Sequence, residues 1–110
     1  MELFVKSDLS ETSKAHFTRK IEQWLSFTSH KDFKKLLKNP DQSMKTLEAV
    51  EDIKHTPTNH HHYLSAVVAY LRHEKMKGMG EKTQKGYLEE WVKIQNKNSE
   101  PIFKRYNNSE

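Results

Sequence analysis

The chain has 110 residues, of which 34% are apolar and 31% charged, with a net charge of +4 and a pI near 9.2. That is one domain with a lean core and a heavily charged surface, and its basic balance favours a polyanionic partner. The absence of cysteine excludes disulfides, thiolate chemistry and cysteine zinc sites. No apolar run reaches the length of a membrane span or of a signal-peptide core, so an intracellular protein with no membrane partner is expected.

Residues 1–8 read as an N-terminal arm, in which Leu3, Phe4 and Val5 are able to dock. A helical domain follows over residues 9–97. Its first helix starts at Ser10, an N-cap, with Glu11 in the first turn where the helix dipole favours an anion. Phe17, Ile21, Trp24, Leu25 and Thr28 share one face; Lys14, Thr18, Arg19, Lys20 and Gln23 lie at its margins or opposite. Ser29 is the expected cap of a second, shorter helix with Phe33, Leu36 and Leu37, ended by Asn39-Pro40. Lys31, Lys34, Lys35 and Lys38 fall on another face of it, either a phosphate-binding stripe or a solvated one. A third helix is expected over Ser43 to Ile53, with Met44, Leu47, Val50 and Ile53 on one side and Glu48, Glu51 and Asp52 as a solvated acidic run.

The fourth helix is expected to be capped by Thr58 or Asn59 and to run to about Met76. Its stripe of Tyr63, Leu64, Val67, Tyr70 and Leu71 is widened by Ala66, Val68 and Ala69, the pattern of a central helix. Lys77-Gly-Met-Gly80 is a turn. A fifth helix spans about Glu81 to Asn96, with Leu88, Trp91, Val92 and Gln95 on one face. Residues 98–110 read as a polar tail or linker containing Ile102, Phe103 and Tyr106. No stretch alternates as a strand would, so the fold class is an all-α bundle of four to five helices.

Three adjacent histidines, His60, His61 and His62, open the most apolar segment. Helical zinc pairs need ligands three or four residues apart, and the positions after His62 hold Ser65 and Ala66, so no metal site is expected. The imidazoles are then either helix-end side chains of the bundle or part of a surface for a polyanion. A helix start exposes N–H groups that suit phosphate, and Thr58, Asn59, His61 and His62 add polar side chains there. The other end carries Arg72, His73, Lys75 and Lys77. No glycine-rich phosphate loop or catalytic constellation is present, so no cofactor, no small-molecule substrate and no catalysis are expected.

Two segments carry a family resemblance. Ser10, Ser13, Phe17, Ile21 and Trp24 fall in turn on the pattern S-x-x-T-x-x-x-Y-x-x-x-L-x-x-F. Asn59-His-His-His-Tyr-Leu-Ser-Ala-Val-Val-Ala-Tyr-Leu71 is similar to T-x-x-x-Y-L-S-A-L-x-x-F. Both patterns belong to the SAM-like core-binding domain of tyrosine recombinases, the phage-integrase family, and over about residues 8 to 97 the chain resembles that domain. The resemblance implies half of a clamp on duplex DNA for recombination or integration, with other recombinase protomers as further partners. It implies DNA contacts from Thr12, Lys14, Thr18 and Arg19 in the first helix. In the fourth it implies Thr58, Asn59, His61 and His62, while Arg72 and Lys75 form a basic flank at the other end. Ser13 and Asn59 stand where the family has threonine. The family's catalytic domain has no counterpart here, and Tyr106 lacks the arginine and histidine frame of its nucleophile. The competing class is a helical protein-docking module that uses the Phe33-Leu36-Leu37 ridge or the Ile102-Phe103 segment.

Overall fold

The most apolar segment becomes the centre of the molecule. The computed structural model describes residues 3–5, 8–29 and 31–107, with the backbone alone for 102–107. Five helices follow one another: α1 (Glu11–Phe27), α2 (Phe33–Lys38), α3 (Pro40–Glu48), α4 (Pro57–His73) and α5 (Glu81–Asn107). The described residues contain no strand, and the molecule is the all-α bundle its periodicity predicts. Because α4 is apolar on nearly every side, it packs against both α1 and α5 and buries Tyr63, Leu64, Ala66, Val67, Val68, Ala69 and Leu71.

Two tryptophans join the short helices to this layer. Trp24 and Trp91 are fully buried and meet edge to face, with ring centroids 5.6 Å apart. Each indole donates to a backbone carbonyl at the α2–α3 corner: Trp24 to Ser43 at 3.2 Å and Trp91 to Leu37 at 3.0 Å. The Ser43 hydroxyl closes the corner by donating to the Leu36 carbonyl at 2.7 Å. Leu36 and Leu37 are fully buried beneath it, so the ridge considered as a docking face belongs to the core. At the other side Phe4 is buried against Phe17 and Tyr70, and Phe33 meets Tyr70 edge on at 4.8 Å.

Several boundaries differ from those read in the sequence. The cap of α2 is Asp32, whose carboxylate accepts from the Lys34 and Lys35 amides, rather than Ser29. Helix α2 does end before Asn39-Pro40, as expected, and after the single residue Asn39 the chain turns helical again: Pro40 is the first residue of α3, where a missing N–H costs nothing. That shift moves α3 forward and leaves Val50 and Ile53 beyond its end. Pro57 does the same for α4, with Thr56 as cap in place of Thr58 or Asn59. Helix α4 also stops at His73, short of Met76, and α5 continues through the expected tail to Asn107 despite Pro101. Asn98 ties that extension down by donating to the Pro57 carbonyl at 2.9 Å, and Ser99 is buried. The readings of Ile102, Phe103 and Tyr106 concern side chains outside the described ones.

Candidate nucleic-acid interface

The residues expected to meet DNA divide between the two ends of α4. The N-terminal end offers less to an anion than a bare helix start. Pro57 has no N–H, the Asn59 N–H is taken by Thr56 Oγ1 at 3.1 Å, and the His60 N–H by the Thr56 carbonyl at 3.0 Å. Only Thr58, exposed, keeps a first-turn N–H for outside use. The Asn59 side chain is engaged too, donating to the Lys54 carbonyl at 2.7 Å.

The three histidines point three ways. His60 bonds His55, its ring nitrogen 2.9 Å from His55 Nδ1. Burial lowers the His60 pKa, the neighbouring His55 lowers it further, and Glu48 opposes them. His61 turns inward: its Nε2 is hydrogen-bonded to the Ser65 hydroxyl at 3.1 Å, and Gln95 of α5 donates to Ser65 at 3.2 Å. That leaves His61 Nδ1 buried and unpaired. His62 is exposed and sits edge on to His16 of α1, with centroids 5.8 Å apart. Desolvation lowers the His16 pKa, helped by the positive potential of His62, Lys20 and Arg19.

On α1, Lys14, Thr18 and Arg19 line a groove with Leu3, Phe4 and Val5 of the N-terminal arm. Lys14 pairs with Glu11 at 3.4 Å, and Thr12 is exposed on the outer ridge. His16 and Lys20 instead face the start of α4, Lys20 Nζ lying 4.8 Å from the Tyr63 ring centre. The structure thus brings His62 to α1, but beside His16 and Lys20 rather than beside Lys14 and Thr18.

The C-terminal end is different in kind. Residues 31–38 and 72–85 together carry nine Lys and Arg against three Asp and Glu, while the rest of the chain carries ten against twelve. All nine cations are exposed. Packing brings the two segments together. Phe33 seats α2 on Tyr70 of α4, and Trp91 seats its far end on α5. A Cβ placed on Gly78 would lie 3.8 Å from Lys34 Nζ, which puts the α2 lysines beside the α4–α5 turn. Arg72, Lys75 and Lys85 line one groove on that turn, where Lys75 reaches Glu81 at 3.6 Å. The result is a basic collar containing two of the expected DNA residues, Arg72 and Lys75, and the lysine stripe of α2.

A residue missed in the sequence holds this collar in shape. Gln84 is buried and spends its whole amide on the turn. Its Oε1 accepts from the Met76 N–H at 2.9 Å; its Nε2 donates to the carbonyls of Leu71 at 3.0 Å and Glu74 at 2.5 Å. Gly78 has φ 82°, the left-handed conformation that favours glycine. The only sequence sign of Gln84 was a polar residue on the inward face of α5, one turn before Leu88.

Among the described residues no three His, Asp or Glu side chains converge as a metal site, and no helix is long and apolar enough to cross a membrane. Compared with known proteins, the chain matches no family model, no curated protein and no solved structure.

Proposed function

We propose that this chain is a non-catalytic DNA-binding domain that holds duplex DNA by its phosphates. The observation that carries the reading is the segregation of charge: nine exposed cations gather around α2 and the α4–α5 turn, while the remainder of the chain is net acidic. Phosphate contact needs such a surface and little else, since the energy comes largely from released counterions. The collar rests on buried anchors at Trp91 and Gln84, so its cations are presented from a fixed frame.

The likeness of Ser10–Trp24 and Asn59–Tyr70 to the core-binding patterns of tyrosine recombinases supports duplex DNA as the polyanion. It also supports a role as one half of a recombination or integration clamp, with the chemistry supplied by a separate domain. In this reading Arg72 and Lys75 remain contact residues, joined by the α2 lysines. Arg19 and Thr12 lie on the exposed ridge of α1, and Thr58 and His62 at the far end of α4, where a wrapped duplex would reach them last.

A titration of a fluorescent duplex at several salt concentrations tests this. Affinity should fall steeply with salt, by about 0.9 in log–log slope for each phosphate neutralised. Absence of binding at low salt, or binding insensitive to salt, would favour a protein-docking module instead.

A further inference from the structure

The connection between α3 and α4 is strapped to the first turn of α4. One strap is an amide side chain, Asn59 donating to the Lys54 carbonyl, while Asn98 of α5 holds the same turn of α4 by donating to the Pro57 carbonyl. The second strap is a pair of imidazoles. The Val50 carbonyl can only accept, so the His55 Nε2–H donates to it, which leaves His55 Nδ1 as a bare lone pair. The His60 Nε2–H then donates to that lone pair at 2.9 Å, the two rings standing edge to face with centroids 5.2 Å apart.

These tautomers determine what added protons do. A first proton has a place on His60 Nδ1, which takes no part in the bridge. The imidazolium so formed still donates through Nε2 to His55. A second proton has only His55 Nδ1, the acceptor of the bridge itself. It would set N–H against N–H at the bridging distance and put two positive charges side by side. The bridge therefore survives one proton and not two.

The surroundings carry charges of both signs. Asp41, Lys45 and Glu48 come from α3, Glu51, Asp52 and Lys54 from the connection itself, and Lys97 from α5, lining a groove with Asp41 and Glu48. Phe27 of α1 meets the same connection. Glu48 favours a proton on His60 and does nothing to relieve the clash that a second proton creates at the bridge.

We propose that His55 and His60 form a proton-operated latch that holds the 50–56 connection on α4 with up to one added proton and releases it with two. Burial of His60, helped by the neighbouring His55, lowers its pKa, so the first proton is taken up under more acidic conditions than a free imidazole would show. The latch acts on the end of α4 away from the basic collar and stands or falls independently of DNA binding.

Ring-proton NMR of the intact chain from about pH 8 to about pH 4.5 tests it across the histidine range. The His55 and His60 rings should titrate in two steps separated by about one pH unit or more. Amide hydrogen-exchange protection at Asn59 and His60, both bonded to Thr56, should persist through the first step and fall with the second. In His60→Gln the acid-side loss of protection should move or vanish. Rings that titrate together, or protection unchanged across both steps, would overturn the proposal. So would an acid release with an unaltered midpoint in His60→Gln.

Discussion

The two ends of α4 are built from similar polar vocabulary and reach opposite results. At the start, Thr56, Asn59, His60 and His61 each bond to the protein, with His61 Nδ1 left buried and unpaired, and Glu48 stands close by. At the finish, Arg72 and Lys75 project into solvent and are joined by lysines from α2 and α5. A polar cluster at a helix end is therefore no guide to a ligand until the partners of each group are known. What separates the ends is engagement: side chains of the first bond back to the protein, whereas the cations of the second are exposed.

The largest expected effect blunts the contrast by removing the collar's footing. Trp91→Ala deletes a fully buried ring against Trp24 and the bond to the Leu37 carbonyl. It should cost about 3–5 kcal/mol in denaturant unfolding, and duplex affinity should fall with it because α2 loses its seat. Gln84→Leu is the narrower version. It leaves the Met76 N–H and the Leu71 and Glu74 carbonyls without their partner, for about 1–3 kcal/mol, with faster amide exchange concentrated in residues 74–80.

Thr56→Ala works on the other end. Loss of the cap should cost about 1 kcal/mol, seen as a lower unfolding midpoint, while duplex affinity stays as it was. The smallest effect is on pH dependence. The folded state holds His60 and His16 below their ordinary pKa, so it binds fewer protons than the unfolded chain between the lowered values and about 6.5. Stability should be fully present above that range and decline as pH falls through the native values. His60→Gln should flatten the decline measured by thermal unfolding across pH.

The legible part of the fold was its periodicity. The stripe from Ile21 to Thr28 and the broad apolar face of α4 match what the structure buries, with Phe17 and Tyr70 half-buried at the margin, and Ser10 caps α1 by accepting from Ser13. The starts of α3 and α4 differ for one reason: proline fits the first turn of a helix, so Pro40 and Pro57 each open one, ahead of the expected starts. Pro101 likewise removes one backbone bond from α5 without ending it. The collar was not legible because α2 and the α4–α5 turn are distant in sequence. Only the packing of Phe33 on Tyr70 and of Trp91 beneath Leu37 brings their lysines together. The closure of the histidine end was hidden for the same reason, since it depends on Val50, Lys54 and Gln95, none of which marks itself in a sequence as a partner.

One measurement bears most directly on the division between the two ends. Duplex affinity would be titrated at low and moderate salt for the unaltered chain, for Lys34→Gln/Arg72→Gln/Lys77→Gln in the collar, and for Asn59→Ala/His61→Ala at the other end. The collar variant should bind at least about tenfold more weakly at low salt and show a salt slope shallower by up to about 2.7, the share of three phosphate contacts. The Asn59/His61 variant should bind as the unaltered chain does. The reverse order, with the collar variant unaffected and the Asn59/His61 variant impaired, would place the DNA at the start of α4 and contradict the account.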